Sequence, residues 1–185
     1  MPILRMSILN AIGRCLGRLV AACALAALAA CAGDRDPPAD PSFYRSMAAA
    51  GAELDAAMAA SMISGYRTNN GLSAVTVDPE LTKLAQAQAR AMAARDKLEH
   101  NVIGAFNDRL RASAYDARIG AENIGAGYHS LAEAFSGWRD SPPHRKNMLL
   151  PGATHIGIAA VYAPKSKYKV FWALVLAAPD RKSVV

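Results

Sequence analysis

The chain has 185 residues, 52% of them hydrophobic, enough for the core of one ordinary domain. The formal net charge is +6, but three arginines (Arg5, Arg14 and Arg18) fall in the first thirty positions and leave 18 basic against 15 acidic side chains in the remainder. That excess is too small to indicate a nucleic-acid binder.

Those three arginines precede an uncharged apolar run at residues 19–30, the pattern of a secretion signal. A dozen or so apolar residues falls short of the roughly 20 needed for a permanent membrane-spanning helix. The run closes on Leu28-Ala29-Ala30-Cys31, which resembles a bacterial lipobox. Small side chains before the cut fit a narrow peptidase groove, and the thiol of Cys31 takes up lipid. The alternative is ordinary cleavage near Ala30 that leaves Cys31 as a free thiol. The expectation is a signal peptide at 1–30, with translation starting at Met1 or Met6, and a membrane anchor at Cys31. Ala32, where an aspartate is absent, resembles lipoproteins sent to the periplasmic face of an outer membrane. Cys15 and Cys23 leave with the signal, so the domain has no disulfide to rely on. Residues 32–41, AGDRDPPADP, are polar and proline-rich, the composition of a disordered tether.

Helical character begins near Ser42 and is clear over 52–68, where Leu54, Met58, Met62 and Tyr66 recur every four residues. Asn69, Asn70 and Gly71 end it. Asp78-Pro79-Glu80 starts a second helix: the aspartate caps free amides, proline suits the first turn, and the glutamate faces the positive end of the dipole. Its inner face is Leu81, Leu84, Ala85, Ala89, Met92 and Ala93, and His100 follows its end. Residues 106–114 read as a short amphipathic segment with Phe106 and Leu110 inward and Asp108, Arg109 and Arg111 outward. Glu122 sits in a glycine-rich bend among apolar residues, an expensive place for an acid without partners. Ser130-Leu131-Ala132-Glu133 fits a capping box opening a helix that buries Leu131, Ala134, Phe135 and Trp138. Pro142-Pro143 stops that helix and starts another turn carrying His144. An imidazole in a first helical turn beside Arg145 and Lys146 is expected to be neutral.

The period then changes. Residues 154–162 and 168–177 are β-rich, joined by a turn at Pro164-Lys165-Ser166-Lys167 whose lysines form a solvated tip. Both strands are apolar on both faces and need cover on both sides. The expected fold is α+β: a three-layer α-β-α sandwich with a central, mainly antiparallel sheet, occupying residues 42–185.

Residues 52–179 resemble the CAP superfamily of cysteine-rich secretory, antigen 5 and pathogenesis-related proteins. The resemblance rests on Tyr66-Arg67 before Gly71-Leu72, the Asp78-Pro79-Glu80-Leu81 helix start, His100, Gly120-Ala121-Glu122-Asn123-Ile124, Trp138, the run from Ser141 through Pro142-Pro143-His144-Arg145-Lys146 to Asn147, and Ile156-Gly157. It implies a cleft of two histidines and two glutamates that sometimes holds zinc. His100, Glu122 and His144 match three positions, and the second glutamate falls on Ser141. Asp140 is adjacent but lies about 100° away around a helix.

Two function classes follow. One is a lipid-anchored, monomeric envelope domain whose cleft binds an apolar ligand, a wall component or a protein. The other is a zinc-dependent hydrolase using His100, Glu122 and His144, since two imidazoles and a carboxylate suit catalytic zinc. It has no separate general base and no His-Glu-x-x-His motif. A metal-free pair of Ser141 and His144 is a third reading, lacking any resemblance to a nucleophile elbow.

Overall fold

Asp55 and Asp78 fix where the first two helices begin. The computed structural model describes residues 41–180; the signal, Cys31 and the tether up to residue 40 lie outside them. Helix α1, Ala56–Thr68, starts beside Asp55, whose carboxylate accepts the Met58 N–H at 2.9 Å and the Ser42 hydroxyl at 2.8 Å. The expected onset near Ser42 is therefore corrected: residues 42–44 form one 3-10 turn, and Gly51 takes a left-handed φ of 75° before the cap. The fully buried side of α1 is Ala59, Ala60, Ile63 and Arg67, while Leu54, Met58, Met62 and Tyr66 are half-buried and pack at its flank. Ala59 and Ala60 let α1 approach its neighbours closely, and Ile63 and Arg67 fill the space beside them.

Helix α2, Pro79–Arg95, follows the expected start: Asp78 accepts from the N–H groups of Glu80 and Leu81. Asp96 ends it in the left-handed conformation. Helix α3 spans Phe106–Ala112, α4 Leu131–Asp140 and α5 Pro142–Met148. Ser130 caps α4 by accepting the Glu133 N–H, and the Glu133 carboxylate reaches back to the N–H of His129.

The strands are β1 Thr76–Val77, β2 Ala117–Ala126, β3 His155–Ala163 and β4 Lys169–Pro179. They form one sheet in the order β1-β3-β4-β2, with β1 parallel to β3 and the other pairs antiparallel. Residues 170–178 of β4 are buried throughout. Period two then splits them between layers. Val170, Trp172, Leu174 and Leu176 pack with Ala59 and Ile63 of α1, Ala134 and Trp138 of α4, and Met148 of α5. Phe171, Ala173, Val175 and Ala177 pack with Leu81, Ala85, Ala89 and Met92 of α2 and Leu110 of α3. Helices thus cover both faces, as a strand apolar on both sides requires. Each large apolar side chain buried in this way contributes about 1.5–3 kcal/mol.

The glycine-rich stretch around Glu122 is a strand rather than a bend. A Cβ at Gly120 would lie 2.5 Å from Leu110 Cδ2, so this glycine admits α3 to the sheet surface.

Candidate functional site

β2 is an edge strand, and its alternation sends neighbouring residues to opposite layers. Ile124 belongs to the core beneath α2 and α3, and Glu122, two residues before it, points to the same side. Asn123 turns the other way, to α5: its side-chain amide donates to the carbonyl of His144 at 2.9 Å. Asn147 of α5 donates to Asn123 Oδ1 at 2.9 Å and to the Glu122 carbonyl at 3.1 Å. Trp138 secures α4 to the same strand through Nε1–H and the Ile124 carbonyl, 3.0 Å apart. The elements carrying His144 are in this way tied to the edge that carries Glu122.

Glu122 has 1% of its side chain exposed, and its charge is met from two directions. His100 Nδ1 lies 2.9 Å from Oε1. Because a carboxylate only accepts, Nδ1 carries the proton, which leaves Nε2 for the outside. Arg109 Nη2 lies 3.0 Å from Oε1 and 2.8 Å from Oε2. The same guanidinium donates to the carbonyls of Gly104 and His100, and Gln88 Nε2 donates to those of Glu99 and His100. The loop of His100 is thereby fixed by its backbone, while 48% of the imidazole side chain stays exposed. His144 sits in the first turn of α5 with its pKa below the ordinary value, first through desolvation and then through the positive charge of His100.

The expectation that Arg109 faces outward is corrected: its side chain is 8% exposed and aimed at Glu122. Periodicity assigns a cation to water, but an interior carboxylate is a stronger partner than solvent at this position. Ser141 stands at the junction of α4 and α5, where it makes no side-chain cap hydrogen bond. Asp140 is exposed and pairs with Arg139, so it does not replace the missing glutamate.

A three-ligand zinc centre needs the lone pairs of two imidazoles and a carboxylate to converge. Among the described residues, no three His, Cys, Asp or Glu side chains are grouped in that way. Both Glu122 oxygens are already engaged by Arg109, so the donor set of His100, Glu122 and His144 does not fit such a centre.

Beside this cluster runs an open groove of about 450 Å³ between α2 and the segment from Ile103 to Ala114, lined by Leu84, Ala87, Ile103, Ala112 and Ala114 together with Glu80, Lys83, Arg109 and Ser113. Ile103 and Leu98, on either side of His100, are exposed apolar residues.

Residues 60–176, well over half of the chain, match the model of the CAP family, described as the cysteine-rich secretory protein family. The chain belongs to the CAP family. Its CAP domain is 31% identical over 102 residues to the Bacillus subtilis (strain 168) protein YkwD, a match covering 54% of this chain and 40% of that protein. The chain therefore spans less than half the length of this relative. Among solved structures, the CAP domain is similar to an outer surface protein from Borrelia burgdorferi, with a TM-score of 0.60 and 18% identity over 68% of this chain and 93% of that one. It is also similar to an extracellular protein containing an SCP domain from Bacillus anthracis (strain Ames), with a TM-score of 0.57 and 22% identity over 65% of this chain and 39% of that one. At these identities the structural likenesses establish the fold alone, an α+β sandwich around a mixed sheet.

Proposed function

We propose that this CAP domain is an exported, lipid-anchored binding module of the bacterial cell envelope that presents the His100–Glu122–His144 edge and its adjoining groove to a ligand. The arrangement of Glu122 carries the reading. Its carboxylate is 1% exposed and shared between Arg109 and His100, which keeps it from proton transfer to a substrate, and it serves instead to hold one exposed imidazole in a fixed orientation. Leu98 and Ile103 flank His100 in the chain, and the adjoining groove sets Leu84, Ala87, Ile103 and Ala114 among Glu80, Lys83 and Arg109, which suits a mainly apolar ligand with a polar end. A wall component or an envelope protein would meet the same surface. Export and anchoring rest on the apolar run at 19–30 and the lipobox ending at Cys31. The outer-surface and extracellular descriptions of the structural relatives agree with that compartment.

Site-specific photocrosslinking in the producing cell tests the reading. A benzophenone side chain at Ile103 is expected to give discrete covalent adducts that a probe at Ser61, exposed on α1 in the opposite helical layer, does not. Mass spectrometry of the adduct separates lipid, glycan and protein. Equal labelling at both positions, or none at Ile103, would remove this edge as the binding surface.

A further inference from the structure

The partner that neutralises Glu122 determines what the site does with divalent ions. Arg109 is held at several points at once: Nε donates to the Gly104 carbonyl at 3.1 Å, and Nη2 reaches the His100 carbonyl and both carboxylate oxygens. A guanidinium restrained in this way does not swing aside for a second cation. Its burial removes the water that would screen its charge. A single cation close to a carboxylate changes the affinity of that carboxylate for a proton by roughly ten- to a thousandfold, and a divalent ion carries twice the charge.

We propose that Arg109 is the resident cation of this site and excludes divalent metal from Glu122, leaving His100 and His144 as hydrogen-bonding groups. Glu122 then acts on His100: it accepts the Nδ1 proton, so that Nε2 faces outward. This assignment holds whatever ligand the groove takes, so its test stands apart from the crosslinking above.

The test is a calorimetric zinc titration of the metal-stripped, detergent-purified full chain, with folding of each variant checked by circular dichroism. Zinc held by cysteine thiols is separated from the site by its indifference to Glu122→Gln and His100→Ala. The wild type is expected to show no zinc affinity that depends on Glu122. Arg109→Gln, which keeps a neutral donor beside the carboxylate, and Arg109→Met are expected to gain a site at least about a hundredfold tighter. Adding Glu122→Gln or His100→Ala should remove that gain. Wild-type affinity that falls in Glu122→Gln overturns the proposal, as does a folded Arg109→Gln protein that binds zinc no better than the wild type. If neither Arg109 variant folds, the wild type against Glu122→Gln still decides it: unchanged zinc binding supports the assignment, and weaker binding in the variant sinks it.

Discussion

Arg109 Nη2 and Glu122 Oε2 lie 2.8 Å apart, with 8% and 1% of their side chains exposed. Removing one member of such a pair leaves the other charged in a place water scarcely reaches. Arg109→Ala is expected to lower stability by about 3–5 kcal/mol. The double variant Arg109→Ala/Glu122→Ala should lose less than the two single losses added together, because no lone charge remains. Urea denaturation of all four proteins measures both; additive losses would show that the pair is not coupled.

Arg67 is fully buried, and burial pulls its pKa below the ordinary value. It donates to the carbonyls of Ser73, Met148, Leu150 and Ala153, tying α1 to the chain that leaves α5. Arg67→Met keeps the bulk and orphans several of these carbonyls, at a cost of at least about 3 kcal/mol. Arg67→Lys should recover only part of this, since an ammonium lacks the planar fork. Full recovery by lysine in thermal unfolding would mean that charge alone is required.

Gly157 of β3 lies against the backbone of α2. A Cβ there would stand 2.0 Å from the Leu81 carbonyl carbon and 2.3 Å from the Thr82 nitrogen, neither of which can rotate away. Gly157→Ala is expected to cost about 1–3 kcal/mol or more, as overpacking of a rigid contact does. A denaturation midpoint equal to that of the wild type would show that α2 has room to shift.

His144 has a folded-state pKa below its unfolded value, from desolvation first and the charge of His100 second. The unfolded chain therefore binds the proton more readily, and this contribution to stability, present above the unfolded pKa, is lost as pH falls through the folded one. His144→Gln should lose less stability than the wild type between about pH 7 and pH 5. NMR titration of the ring proton should place its midpoint below that of an unfolded histidine. A midpoint at or above it contradicts the shift.

Cys31→Ser should release the protein from the membrane fraction and make its processing insensitive to globomycin. A processed Cys31→Ser protein that still sediments fully with membranes would show that the anchor lies elsewhere.

Caps and periods were legible because their causes are local. Asp78 and Ser130 sit within three residues of the amides they satisfy, and the two long strands are apolar on both faces within their own span. Arg67 and Arg109 were not legible in this sense. The carbonyls that Arg67 meets on Met148 and Ala153 are 81 and 86 positions away, and Glu122 is 13 positions from Arg109 on another element. A helical period places cations outward because water is the default partner, and only the assembled fold supplies a better one. One signal did point to Arg109: an acid placed among apolar residues needs a counter-charge, and α3 carries arginines shortly before β2. The glycines around Glu122 misled for a related reason. Glycine marks bends and close approaches alike, and which of the two applies at Gly120 is set by Leu110.

The position of β4 bears on the order in which this protein can assemble. It is the last strand among the described residues, yet it lies between β3 and β2 and supplies both with their antiparallel partner. During synthesis, β2 has no ladder to join, and β3 only the two residues of β1, until residues 169–179 clear the ribosome. The sheet closes only once β4 has emerged, which leaves the nascent chain threadable through a translocation pore until then. A truncation before Lys169 would leave two apolar strands open to proteases rather than a smaller folded domain.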